Sequence, residues 1–214
     1  MKYYVANWKA NKNLQQASDW IDQFLKLYQP KSDSTVIICS ALPFLAMIKQ
    51  KINQISNLKL GAQDISLYEE GSYTGETTAK SLTGLADYVI IGHSERRKNF
   101  AENNETLVKK IALANKYQIK PILCIRNEND WLKNNQVKIV AYEPSYAIGT
   151  GDNEPLEKVI ELKEKLQLST DQVYLYGGSV NENNAKNYIQ SDKIDGLLVG
   201  GASLDPQSFN KIIS

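Results

Sequence analysis

The sequence is poor in histidine and cysteine: its 214 residues include one His and two Cys. The cysteines, Cys39 and Cys124, lie far apart in two apolar runs and form no CxxC or comparable spacing. Because a structural zinc site needs about four Cys or His ligands at close spacings, we do not expect one. Buried free thiols are typical of a reducing compartment, so we expect a cytoplasmic protein.

The chain also lacks a surplus of charge and a long apolar run. It carries 25 basic and 24 acidic residues, a formal net charge of +1. This balance gives no indication of nucleic acid or a membrane surface as a partner. No apolar run approaches the roughly 18 residues of a membrane-spanning helix. The first residues, Met1 to Val5, lack the apolar core of a signal peptide.

What the sequence does contain is a regular alternation of short apolar runs and amphipathic segments. Strands are predicted at Tyr3–Ala6, Val36–Cys39, Leu58–Ala62, Tyr88–Ile91, Pro121–Ile125, Ile139–Ala141, Val173–Tyr176 and Leu197–Val199. Helices are predicted at Leu14–Tyr28, Phe44–Ile55, a short segment after Thr77, Asn104–Tyr117, Pro155–Leu166, Glu182–Ile189 and Pro206–Ile213. Strict alternation predicts an α/β fold with a parallel sheet.

Eight such units can close into an eight-stranded parallel (β/α)8 barrel. A doubly wound open sheet has the same periodicity and stays open as the alternative. No composition shift or linker divides the chain, so we expect a single domain over residues 1–214.

The crossover between strands five and six is unusually short. Only 12 residues, 125 to 136, separate Cys124 from Val137. A crossover with its helix usually needs at least about 10–12 residues, and part of this length must return along the strand. We therefore expect one reduced crossover, with a turn or two of helix at most. Trp131 is the large apolar residue available to cover the outer faces of these strands.

A carboxylate stands at the end of strand six. The strand is followed by Glu143 and Pro144, and then by a small-residue stretch with Gly149 and Gly151. Proline limits the backbone beside Glu143, whereas the glycines allow the following segment to move. This pattern is typical of a catalytic base next to a lid. A surface carboxylate followed by an ordinary turn is the alternative.

Other strand ends also carry candidate groups. Gly177-Gly178 and Gly200-Gly201 follow strands seven and eight, where backbone N–H groups of barrel enzymes often bind phosphate. Lys9 follows strand one. His93, at a predicted helix start after strand four, would have a lowered pKa and could donate a hydrogen bond as a neutral imidazole. The next basic pair, residues 96 and 97, either binds an anion or forms structural ion pairs.

Eight segments in order resemble the triosephosphate isomerase family over nearly the full chain. They are Asn7-Trp8-Lys9, Gly61-Ala62-Gln63, Tyr73-Thr74-Gly75-Glu76, Gly92-His93-Ser94-Glu95-Arg96-Arg97, Ala141-Tyr142-Glu143-Pro144, Ala147-Ile148-Gly149-Thr150-Gly151, Tyr176-Gly177-Gly178-Ser179-Val180 and Val199-Gly200-Gly201-Ala202-Ser203-Leu204. The resemblance implies a TIM barrel and a cofactor-free, metal-free isomerase of glycolysis and gluconeogenesis. Its substrates would be dihydroxyacetone phosphate and glyceraldehyde 3-phosphate.

The resemblance also implies residue roles. Glu143 would be the base, His93 the neutral electrophile, Lys9 the cation at the enediolate and Asn7 a positioning group. Glu95 and Ser94 would support them. Phosphate would be bound by Gly149, Ser179, Gly200 and Gly201. The implied lid comprises Pro144, Ser145, Tyr146, Ala147, Ile148, Thr150 and Gly151, around Gly149.

Several positions depart from the family pattern. Ser145-Tyr146 replaces the usual Val-Trp at the first hinge of the lid, and Ala10 replaces Met after Lys9. Strand five ends in Arg126-Asn127 in place of Gly-Glu, which leaves the supporting groups there undefined. No candidate chemical group is lost.

Residues 64–77 form a long predicted loop. In the family this loop enters a groove of a second subunit, and the residue matching Thr74 approaches the partner's active site. Tyr68 and Tyr73 are of the type enriched at interfaces. We therefore expect a homodimer. Two other functions stay open: a phosphate-binding barrel without catalysis, and another phosphosugar enzyme such as a synthase or epimerase.

Overall fold

The fold was determined as a computed structural model, which describes residues 1–133, 136–144, 146 and 153–214. Ser145, residues 147–152 and residues 134–135 lie outside the described part of the chain. Within the described ranges, no helix combines the length and the apolar character needed to cross a membrane.

Eight parallel strands form a closed barrel in the order of the sequence, β1 to β8. The strands are β1 Lys2–Asn7, β2 Ser34–Ser40, β3 Leu58–Ala62, β4 Tyr88–Ile91, β5 Lys120–Ile125, β6 Ile139–Tyr142, β7 Val173–Tyr176 and β8 Gly196–Val199. Closure is made by β8 and β1, with Tyr4 paired to Leu197. The predicted barrel is confirmed, and the open-sheet alternative is excluded by this closing pair.

The helices of the described residues lie between the strands. They are α1 Leu14–Leu27, α2 Leu45–Ile52, α3 Ser94–Asn99, α4 Asn104–Lys116, α5 Leu156–Leu166, α6 Ala185–Ile189 and α7 Pro206–Ile213. The start of α1 shows why the sequence folds this way locally. Asn13 and Gln16 form a reciprocal capping box, and an apolar stripe that includes Trp20 and Phe24 then faces the barrel.

Two predicted helices are shorter than expected. The segment from Phe44 begins as a 3-10 turn, Leu42–Phe44, and α2 ends at Ile52. Helix α6 starts at Ala185 and not at residue 182. The preceding residues form a turn in which the Asn181 side chain accepts from the Asn183 N–H and the Asn184 side chain from the Asn181 N–H. Asparagine side chains compete with helical backbone hydrogen bonds in this way.

The core has two layers, one inside the barrel and one between the strands and the helices. Successive residues of a strand point to opposite faces, so Ile37 and Cys39 fill the interior while Val36 and Ile38 face the helices. Gly61 lies where the interior is tightest. A Cβ atom there would be 2.5 Å from the Cys39 sulfur.

The reduced crossover between β5 and β6 is confirmed. Among its described residues, the regular structure is a single 3-10 turn, Glu128–Asp130. Trp131 is partly buried and packs against the outer core layer, as predicted, and Leu132 does the same. The segment that leads into β6 accepts two hydrogen bonds from side-chain amides: Asn115 donates to the Gln136 carbonyl (2.9 Å) and Gln172 donates to the Val137 carbonyl (2.8 Å).

Candidate active site

The carboxyl ends of the strands surround a cavity of about 230 Å³. Parallel strands in a closed barrel place all their carboxyl ends at the same end of the barrel, so groups far apart in sequence converge there. Seven predicted site residues line this cavity: Asn7, Lys9, His93, Glu143, Ser179, Gly200 and Gly201. They come from the ends of β1, β4, β6, β7 and β8.

Glu143 follows directly after β6 and is held by its backbone, whose N–H donates to the Ile125 carbonyl (2.8 Å). Its side chain is almost fully buried, and Oε1 lies 3.0 Å from Nε2 of His93. The second oxygen, Oε2, makes no hydrogen bond within the described part of the chain. A buried carboxylate with a free lone pair is suited to accept a proton from a bound molecule.

His93 is the N-cap residue of α3. Its Nδ1 atom accepts a hydrogen bond from the Glu95 N–H (3.2 Å). Because Nδ1 is an acceptor in this contact, the neutral imidazole carries its proton on Nε2, the atom that faces Glu143. The helix start therefore selects the tautomer that can donate into the cavity.

The pKa values of this pair are coupled. Burial is the largest single effect and lowers the pKa of His93, but the charge and hydrogen bond of Glu143, together with the charge of Glu95, raise it by more, so the net shift is upward. Burial raises the pKa of Glu143, but the charge and hydrogen bond of His93, with smaller contributions from the Cys124 thiol and the charge of Lys9, outweigh this, so the net shift is downward. The sequence predicted a lowered His93 pKa from the helix start. That prediction is wrong, because a carboxylate 3.0 Å away contributes more than a helix terminus.

Lys9 is fixed from several directions. It adopts a left-handed backbone conformation, with φ of 54°, and its N–H donates to Oδ1 of Asn7 (3.1 Å). The Gln63 side chain donates to its carbonyl (2.9 Å). Its Nζ atom lies 2.6 Å from Oε1 of Glu95, so an acidic side chain holds the cation at the cavity. Ser94, the residue before Glu95, is buried.

The opposite side of the cavity is formed by backbone. Gly200 and Gly201 lead into a 3-10 turn, Gly201–Leu204, and a Cβ atom on Gly200 would be 3.4 Å from Cε of Lys9. Ser179 has a positive φ of 48°, which is uncommon for a residue with a side chain. Small residues keep this wall open for an anion to approach the main chain.

The glycine pair after β7 has a second role that the sequence did not reveal. A Cβ atom on Gly177 would lie 3.0 Å from Cγ of Glu143, and one on Gly178 would lie 2.4 Å from the Tyr176 hydroxyl. These glycines therefore make room for the Glu143 side chain and for a buried phenol.

Several predicted lid residues cannot be placed. Ser145, Ala147, Ile148, Gly149, Thr150 and Gly151 lie outside the described residues. Of the lid residues that the structure describes, Pro144 is buried beside Glu143. Tyr146 is exposed, and its hydroxyl donates a hydrogen bond to the Glu154 carboxylate.

Glu154 was missed by the sequence analysis. It is buried, its N–H donates to the Tyr176 hydroxyl (2.7 Å), and its carbonyl accepts from Tyr188 (2.5 Å). Tyr142 also donates to its carboxylate (3.4 Å). The only signal in the sequence was an acidic residue before a helix-starting proline, which is too common to single out.

The supporting groups at the end of β5 are now defined. Asp130 accepts from the backbone and guanidinium of Arg126 (2.7–2.9 Å) and lies 3.4 Å from Arg97. Arg97 is buried and donates to the Gly92 carbonyl (2.8 Å), next to His93, and to the Cys124 carbonyl (3.3 Å). An aspartate of the shortened crossover thus supplies the acidic partner that the residues directly after β5 lack.

Both arginines after His93 form structural ion pairs. Arg96 reaches Asp64 (2.8 Å) and Glu102 (2.8 Å), and the buried Lys110 joins the same two carboxylates. This network anchors the base of the 64–77 loop. In the described part of the chain, no group of three or more His, Cys, Asp or Glu side chains is arranged to hold a metal ion.

The fold and the cavity define a class. A buried carboxylate, an imidazole and a lysine face a backbone wall of small residues at the carboxyl end of a (β/α)8 barrel, where barrel enzymes that act on phosphorylated substrates have their active sites. Comparison with known proteins identifies the family within this class. The family model "Triosephosphate isomerase" matches residues 2–214, and the chain belongs to this family.

Individual relatives align over almost their full length. The triosephosphate isomerase of Aquifex aeolicus is 35% identical over 241 residues, covering 98% of this chain and 97% of the relative. That of Mesomycoplasma hyopneumoniae (strain 232) is 37% identical over 241 residues, with 99% and 98% covered. That of Synechocystis is 37% identical over 235 residues, with 98% and 96% covered.

Proposed function

We propose that this protein, as a single-domain barrel, interconverts dihydroxyacetone phosphate and D-glyceraldehyde 3-phosphate in glycolysis and gluconeogenesis. The observation that carries the proposal is the Glu143–His93 pair, 3.0 Å apart in one buried cavity with Lys9 and the Gly200-Gly201 wall. We expect this reaction to take place in the cytoplasm. It is a proton transfer without net oxidation, so its balance requires no cofactor.

Glu143 takes a proton from carbon 1 of the ketose and returns it to carbon 2. Its carboxylate is charged because the pKa is lowered, and the free Oε2 is the atom available to the substrate. The base alternates between carboxylate and carboxylic acid, so protons balance over one turnover. General acid–base groups of this kind typically contribute about 10²–10⁴-fold in rate.

His93 donates from Nε2 to the carbonyl oxygen that gains negative charge. The Nε2 to Oε1 distance of 3.0 Å leaves no space for a substrate atom, so a bound substrate separates the two side chains. Separation weakens the carboxylate's effect on the pKa of His93. Burial and the N-cap hydrogen bond then favour the neutral form, which can also move a proton between the two substrate oxygens.

Lys9 stabilises the enediolate through its positive charge, and Asn7 and Glu95 position it. The phosphate is bound by the N–H groups of Ser179, Gly200 and Gly201 across the cavity. Gly149, which the resemblance adds to this set, lies outside the described residues.

The test is a coupled isomerase assay on the purified chain and two variants, Glu143→Gln and His93→Ala. Each variant should lose about 10²–10⁴-fold in kcat while its thermal unfolding stays cooperative. Glu164→Gln, an exposed carboxylate on α5, is the matched control and should be fully active. A wild-type chain that binds phosphate but lacks turnover would instead favour a barrel without catalysis.

We also propose a homodimer that uses the 64–77 loop, with Thr74 near the partner's active site. The loop is closed at its base by the Ser66 N–H, which donates to the Thr77 carbonyl (2.8 Å). Tyr68 and Tyr73 stack with ring centroids 4.0 Å apart, although both are about 40% exposed. Rigid exposed aromatic rings are typical anchors of protein interfaces.

A third exposed ring lies beside the loop. Phe100 is 66% exposed, and the Arg96 guanidinium that binds Asp64 also lies 4.8 Å from its ring. The dimer is tested by sedimentation and by specific activity against protein concentration. Tyr73→Ser should shift the chain toward monomer and lower its activity on dilution. Leu14→Ser, at an exposed apolar residue of α1, is the control.

A further inference from the structure

A second cavity, of about 620 Å³, lies at the amino-terminal end of the barrel, opposite the candidate active site. We refer to it as the amino-terminal cavity. It is bounded by Tyr3, Tyr88 and Lys120 at the starts of β1, β4 and β5, by the crossover segment 136–139, and by residues 169–173. Its volume lies in the range of small-molecule sites, about 300–1,000 Å³.

The cavity is bounded on one side by the shortened crossover of this chain. Val137 and Lys138 precede β6 directly, and the described residues before them form no helix that could cover this part of the barrel end. The side-chain amides of Asn115 and Gln172 hold the segment from its two sides. The space between these two supports is therefore a fixed feature of the shortened barrel.

The floor of the cavity is apolar but contains one hydroxyl without a protein partner. Pro121, Val137 and Ile139 are buried there. Tyr88 lines the cavity and is only 5% exposed as a residue, and its hydroxyl, which has no hydrogen bond among the described residues, is accessible from the cavity. A polar group that enters the cavity can therefore form a hydrogen bond with this hydroxyl. Burial raises the pKa of Tyr88 to about 12, so the phenol is a donor at neutral pH.

The charge at the cavity is positive. Lys138 is paired with Asp171 at 3.4 Å. Lys120 forms no ion pair within the described ranges, and its Nζ atom lies 5.4 Å from the Tyr88 ring centroid. The neighbouring cavity, which shares Tyr88 and Lys120, adds Lys59, which likewise has no ion pair among the described residues. Its other charged residues are paired: Asp87 with Lys49 and Lys116 with Glu69. A lysine and a phenol donor above an apolar floor match an anionic group attached to a flat apolar ring.

We propose that the amino-terminal cavity is a binding site for a small aromatic monoanion, an aryl carboxylate or sulfonate. Lys120 and the Tyr88 hydroxyl bind its charged group, and the apolar floor packs against its ring. The site is separate from the active site and does not depend on the isomerase assignment.

The test is a fluorescence titration of the full chain with 8-anilinonaphthalene-1-sulfonate. We expect one saturable site, weakened about tenfold by Lys120→Gln and about tenfold by Tyr88→Phe, because each removes a hydrogen bond to a charged group. Val173→Trp should fill the cavity and abolish binding. Lys186→Gln, at an exposed lysine of α6, is the control and should bind as the wild type does.

Isomerase activity and cooperative unfolding of the Lys120 and Tyr88 variants show that they are folded. Inorganic phosphate, which the active site should bind, is expected to leave the titration unchanged. Three results would each overturn the proposal: an affinity that neither Lys120→Gln nor Tyr88→Phe changes, displacement of the probe by phosphate, or the absence of fluorescence enhancement.

Discussion

Replacing Gly177 by alanine tests whether this glycine makes room for the base. The added Cβ would lie 3.0 Å from Cγ of Glu143 and 3.3 Å from Cβ of Leu198. Ordinary carbon–carbon contacts are about 3.5–4.0 Å, so Glu143 must move by roughly 0.5–1 Å. A misplacement of about 1 Å can cost around 10²-fold in rate. We therefore expect kcat to fall about 10–100-fold.

KM should change much less than kcat, because the substitution does not alter the proposed phosphate-binding backbone at Ser179 and Gly200. Overpacking should cost about 1–3 kcal/mol of the free energy of unfolding. A coupled assay measures kcat and KM, and thermal unfolding measures the stability. If kcat stays within twofold of the wild type, the steric reasoning at Gly177 is refuted.

Three further predictions concern stability. Asp130→Asn should lower the free energy of unfolding in urea by about 3–5 kcal/mol, since it leaves the buried Arg97 without its acidic partner. Because the pKa of Asp130 is lowered, the stability difference between wild type and variant should shrink as pH falls below about 4. A difference that stays constant with pH would contradict this. Gly61→Ala should cost about 1–3 kcal/mol through overlap in the barrel interior, and an unchanged urea midpoint would count against this. The interaction that raises the pKa of His93 stabilises the fold fully below about pH 6.5, and the one that lowers the pKa of Glu143 does so above about pH 4.3. The difference in melting temperature between the wild type and His93→Gln should therefore be largest between these two pH values and decline as pH rises further. A difference that grows above about pH 7 would refute the coupling.

Strand positions could be predicted because each strand is a short apolar run between polar segments. β4 and β7 have the predicted bounds, and β3 does too. The reduced crossover followed from counting residues against the length of a strand, and the structure confirms it. Helix ends were less predictable. At α6 the asparagines around residue 181 form a turn, and the apolar pattern carries no signal for this competition.

Candidate site residues could be proposed from the sequence because a parallel barrel brings every strand's carboxyl end to the same face. Asn7, Lys9, His93 and Glu143 line one cavity for this reason. Their electrostatics could not be predicted. The direction of the His93 pKa shift depends on a 3.0 Å contact with a residue 50 positions later in the chain.

The sequence by itself therefore determined the strand order, the short crossover and the set of chemical groups at the strand ends, because these depend on local periodicity and on spacing along the chain. Only the tertiary structure decided which groups support the set: Asp130 beside Arg97, Glu154 among its tyrosines, Gly177 against Glu143, and the open amino-terminal cavity. The physical reason is that these features are distances of a few ångströms between distant parts of the chain. Such distances exist only once the barrel has closed.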